Sequence, residues 1–114
     1  MRTTLAPSIE RVLENYFDCW NTYEEGGCLY TECEFLSGAG EDFVFGIRHG
    51  GTKKAFIDGF YEYVCGFDPD EHAEMWIEAR GRGGVPQSIR TLIDDADSIE
   101  KTLIETYQAL RRIL

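Results

Sequence analysis

A chain of 114 residues with 21 acidic and 11 basic side chains has a net charge of −10 and is 43% hydrophobic. That apolar share, with 13% aromatic residues, excludes a disordered tail. The charge excludes an extended basic face of the nucleic-acid-binding kind, and no apolar run approaches the roughly 20 residues that cross a bilayer.

The length predicts a single domain over residues 1–114. The start, "MRTTLAPSIERV", has neither the apolar core nor the cleavage site of a secretory signal, so a cytoplasmic location is expected. Cys19, Cys28, Cys33 and Cys65 have no disulfide or zinc spacing and are expected as free thiols.

From Ser8, the apolar residues Ile9, Val12, Leu13, Tyr16, Phe17, Trp20 and Tyr23 recur at helical spacing. They predict a first helix that Gly26-Gly27 ends. "CLYTECEFL" then alternates, with Leu29, Thr31, Cys33 and Phe35 on one face. "SGAGE" is a turn, and "DFVFGIRH" continues the alternation with Phe43, Phe45 and Ile47, so an antiparallel hairpin is expected. Gly50-Gly51 breaks the chain and Thr52 caps a second helix with the stripe Phe56, Phe60, Tyr63, Val64 and Phe67. Gly59 costs that helix about 1 kcal/mol against alanine, which points to close backbone packing.

A third helix starts at Asp68. A glycine-rich loop follows, then a last apolar stripe from Ile89 to Leu110. The capping box "DSIE" at Asp97–Glu100 predicts a break within that stripe. The order is α-β-β-α-α-α, a small α+β domain with the hairpin packed against helices.

Residues 68–78 hold five carboxylates, of which Asp68, Asp70 and Glu71 have helix-start roles. A calcium loop beginning at Asp68 needs Gly and Glu where Ala73 and Ala79 stand. On the expected helix, His72, Met75, Trp76 and Ala79 face the core. Asp70, Glu71, Glu74 and Glu78 form a band on the opposite side. On the first helix Glu10, Glu14 and Asp18 stack at every fourth position, with Glu25 further along that face. Like charges one turn apart cost stability, and acids outnumber bases 16 to 5 in residues 1–79. Residues 80–114 are nearly balanced, with 5 acids and 6 bases, and interleave the signs. These eight carboxylates (Glu10, Glu14, Asp18, Glu25, Asp70, Glu71, Glu74 and Glu78) therefore suggest either a surface complementary to a basic partner or a solubilising charge alone. Arg80 and Arg82, in "ARGRGGVPQS", form a candidate anion-binding loop. His49 sits in an expected turn with no nucleophile or orienting acid in sight, and no catalytic residue, cofactor or metal is assigned.

In size, acidity and element order the chain resembles small inhibitors carried by phages and mobile elements, of the anti-CRISPR and antirestriction type. The stretches "FDPDEHAEMWIEARG" and "GVPQSIRTLIDDADSIEKTL" are similar to proteins of gut bacteria and their mobile elements. The resemblance implies a non-enzymatic DNA mimic that occupies the nucleic-acid site of a CRISPR or restriction nuclease. The expected partner is thus a basic protein surface, without direct contact to nucleic acid or membrane, for a monomer or homodimer. The alternative is an assembly module binding through apolar surface such as Tyr30, Phe67 and Ile77. A small carboxylate-based enzyme is the third expectation.

Overall fold

The computed structural model describes residues 5–38, 40, 42–73 and 89–114, the last stretch with side chains from residue 93. Helix α1 (Pro7–Tyr16) opens on a proline in its first turn and buries Ile9, Val12 and Leu13. It stops at Tyr16, seven residues before Tyr23, where the periodicity predicts its last apolar contact. Phe17 is extended, with φ −121° and ψ 149°. Its ring enters the core 5.4 Å from Phe35 and 5.6 Å from Phe45.

The chain then forms strand β1 (Cys19–Glu25), turns, and returns as β2 (Cys28–Leu36). Gly26 and Gly27 have φ of 60° and 83°, both in the left-handed region that a two-residue I′ turn requires. The glycine pair is a hairpin turn, not a helix terminator. Trp20, Thr22 and Tyr23, as aromatic and β-branched residues, suit the strand.

Strand β3 (Asp42–His49) pairs antiparallel with β2, placing Thr31 opposite Ile47, Cys33 opposite Phe45 and Phe35 opposite Phe43. The sheet order is β1-β2-β3. The expected hairpin is therefore present with its faces as read, inside a three-stranded sheet. Its buried face joins Ile9, Leu13, Phe56, Phe60, Leu103 and Leu110 in one core.

Thr52 accepts a hydrogen bond from the Ala55 N–H at 3.1 Å and caps α2 (Lys53–Gly66), which buries Phe56, Ile57 and Phe60. Lys54 pairs with Asp58 at 2.7 Å, relieving the charge that Asp58 shares with Glu62. A further helical turn covers residues 69–73. Asp68 caps it, its Oδ1 accepting from the N–H groups of Asp70 at 3.0 Å and Glu71 at 3.4 Å.

Helix α3 (Ile89–Arg111) packs on α1 and α2. It runs unbroken through Asp97–Glu100, where the capping box predicts a break. The Ser98 hydroxyl donates to the carbonyl of Asp95 at 2.7 Å, back along its own helix. Ala96, Ile99, Leu103, Thr106 and Leu110 keep one buried face. The fold is α+β, and among the described residues no helix is long and apolar enough to cross a membrane.

Candidate functional site: an acidic groove at one end of the sheet

The start of β3 and the end of α2 leave a groove of about 730 Å³ between them. That volume falls within the roughly 300–1,000 Å³ typical of binding clefts. Its floor is aromatic. Phe43 comes from β3, Tyr63 and Phe67 from α2 and the residue that follows it, and His72 from the next helical turn. The rings of Phe43, Phe67 and His72 contact each other in all three pairings, at 5.6 to 5.8 Å. Phe43 is also held from below by Phe35 at 5.3 Å and Phe45 at 5.6 Å, while Tyr63 stands edge-on to Phe45 at 4.6 Å. The floor is therefore built into the core.

The rim is charged. Asp42, Asp68 and Glu71 are exposed and line the groove, and no lysine or arginine is among its described lining residues. Burial lowers the pKa of His72, with the neighbouring Asp95 partly opposing that effect. Burial also pushes the Tyr63 phenol up to about 12. Asp42, Asp68 and Glu71 are the acidic side chains among the described lining residues.

The acidity continues across the outer face of the sheet. Val44 pairs in register with Glu34, and Glu34 with Cys19. Cys19 Sγ donates to Glu34 Oε2 at 3.1 Å. That bond, slight desolvation and the charges of Glu34, Asp18 and Asp42 raise the thiol pKa. Asp18 Oδ2 accepts from the Leu36 N–H at 3.1 Å, and the Asp18 N–H donates to the Glu34 carbonyl at 2.9 Å. Leu36 and Val44, 58% and 56% exposed, lie at the same end of the sheet. The surface is thus amphipathic, with two aliphatic side chains among carboxylates from several chain segments.

The sequence-derived acidic band is distributed differently. Asp70 and Glu71 are exposed on the turn beside the groove, and Asp18 lies at the acidic end of the sheet. Glu10 and Glu14 stay on α1, half-buried and exposed respectively. Glu25 sits at the opposite end of β1, beside the glycine turn. The four acids expected on one helix face therefore form no single ridge, because the helix ends before Asp18. Glu74, Glu78, Trp76, Ile77, Arg80 and Arg82 lie outside the described residues.

Asp42, Glu34, Phe43 and Tyr63 were not among the expected site residues. Strand alternation alone places Glu34 on the outer face, but only the register brings it beside Val44 and Asp42. Tyr30, a candidate apolar contact, is half-buried and lies over Gly46, where an added Cβ would overlap its ring. Phe67 is half-buried in the groove floor.

His49 ends β3 instead of sitting in a turn. The Gly51 N–H donates to its Nδ1 at 3.3 Å, so Nε2 carries the proton and donates to Thr31 Oγ1 at 2.8 Å. Thr31 Oγ1 also shares a hydrogen bond with Thr22 Oγ1 at 2.9 Å. This buried chain ties the turn after β3 to both other strands, which is a structural role. Among the described residues, no group of three or more His, Cys, Asp or Glu side chains is arranged to hold a metal ion. No family model, curated protein or solved structure matches the chain.

Proposed function

We propose that this is a non-enzymatic binding protein whose acidic end docks on a basic surface of a protein partner. The observation that carries the reading is the groove with an aromatic floor and a rim of Asp42, Asp68 and Glu71. Rim carboxylates speed encounter with a basic surface and reject acidic ones. Buried aromatic rings supply desolvated contact area at the centre of an interface. The finer form of the proposal makes the partner's surface the nucleic-acid site of a nuclease, which the protein occupies as a decoy. Its support is the chain's net charge of −10 and the resemblance to acidic inhibitors.

The test compares partner capture by the natural chain and by an Asp42→Lys/Glu71→Lys variant, at low and at high salt. Recovery that falls with salt, fails for the variant and is competed by DNA supports the decoy. Salt-labile, variant-sensitive recovery that DNA leaves unchanged keeps the docking surface and rejects the nucleic-acid site. Recovery unaffected by salt and charge reversal rejects both.

A second reading rests on the exposed pair Leu36 and Val44, a small apolar patch suited to self-association. It predicts dimerisation that is insensitive to salt and abolished by Val44→Lys.

A further inference from the structure

We infer that the groove is the seat of an arginine side chain carried on a basic segment of the partner. This inference rests on the docking reading above and adds the chemistry of the anchor.

Four properties of the groove select that group. Its floor offers aromatic surface, and a guanidinium stacks on such rings better than an ammonium does, because it is planar and more weakly hydrated. Its rim places carboxylates on more than one side, Asp42 from the sheet and Asp68 and Glu71 from the turn after α2. The five N–H donors of arginine serve several acceptors at once, with bidentate geometry toward a carboxylate. The volume of about 730 Å³ holds more than one side chain, so residues flanking the arginine enter as well. The rings are fixed before any partner arrives, since Phe43 is wedged among Phe35, Phe45, Phe67 and His72. A preformed floor spares the ordering cost that a flexible one incurs.

An anionic occupant is disfavoured by three carboxylates with no lysine or arginine among the described lining residues. A purely apolar occupant would leave those carboxylates partly desolvated and uncompensated. A cation with flat, apolar faces satisfies both floor and rim.

The experiment uses three capped nonapeptides of glycine and serine, each with three positions occupied by arginine, lysine or citrulline. They are titrated into the full chain and followed by amide NMR shifts and calorimetry. The arginine peptide is expected to shift Val44, Gly66, Phe67 and Glu71, and to bind about fivefold or more tightly than the lysine peptide, the size of a modest cation–π contact. The citrulline peptide, without charge, is expected to leave those amides unmoved. Glu71→Gln, at an exposed position, should weaken arginine binding severalfold with an unchanged circular dichroism spectrum. Phe67→Leu should remove the preference for arginine over lysine.

Equal binding of the arginine and lysine peptides at the groove overturns the arginine anchor and leaves the acidic docking surface standing. Shifts confined to the neighbourhood of Glu10 and Glu14 overturn the groove and move docking to α1. Absence of shifts with all three peptides also overturns the inference, while the docking reading is decided separately by partner capture.

Discussion

Gly59 of α2 lies against the backbone of Arg48 in β3. A Cβ at residue 59 would sit 3.2 Å from the Arg48 carbonyl oxygen and 2.9 Å from Ile47 Cγ2. The helix accepts a mid-helix glycine so that it can approach the edge of the sheet. Gly59→Ala gains about 1 kcal/mol of helix propensity but forces α2 off β3, at a cost of about 1–3 kcal/mol. The expected net result is no stabilisation, and a lower urea midpoint in chemical denaturation. A raised midpoint would show that the helix shifts freely.

Thr31 joins two hydrogen bonds, one shared with the Thr22 hydroxyl and one accepted from His49. Thr31→Val keeps the shape and leaves the His49 Nε2–H without its acceptor in a buried place. The expected loss is about 1–3 kcal/mol, read by equilibrium unfolding. Thr22→Val, at a half-buried position, should cost less.

Burial lowers the pKa of both histidines, first among the causes at each. A base depressed in the folded state contributes stability that is fully present above its unfolded pKa, near 6.5. That contribution is lost as the pH falls through the folded value. NMR titration of the ring protons should give midpoints below 6.5 for His49 and His72 in the folded protein. In urea both should return to about 6.5. A folded midpoint above 6.5 for His49 would contradict the Gly51 N–H bond to an unprotonated Nδ1.

The thiols divide by environment. Cys33 is buried and its pKa is pushed up to about 12, while Cys19 is exposed yet raised by its bond to Glu34. The thiolate is the reactive species, so Cys33 should resist iodoacetamide at pH 8 until the protein unfolds. Glu34→Gln should speed alkylation of Cys19 at pH 8 and leave Cys65 unchanged. Mass spectrometry of timed digests reads each site.

Several elements were legible because one local rule decided each. Thr52 caps α2, Asp68 caps the following turn, and strict alternation fixes the inward faces of β2 and β3. Strand β1 was not legible, because Tyr16, Phe17, Trp20 and Tyr23 happen to recur at helical intervals. Their aromatic and β-branched company and the Gly26-Gly27 pair were the competing signal, and tertiary packing of Phe17 decides in its favour. The capping box near Ser98 failed for the opposite reason: a continuous buried stripe on α3 outweighs a local stop signal. The groove was hidden because its parts stand far apart in the chain. Strand register gathers Asp18, Glu34 and Asp42 at one end of the sheet, and the turn after α2 carries Asp68 and Glu71 to the neighbouring groove.

The packing of α3 on α1 has a consequence for synthesis. Ile9 and Leu13 share their core with Leu103 and Leu110, nearly the whole chain later. The three strands pair between close neighbours in sequence and close early, but the helical layer waits for α3 to leave the ribosome. At roughly 5–20 residues per second, the parts of α1 and α2 that pack on α3 stay uncovered for several seconds after the sheet has emerged.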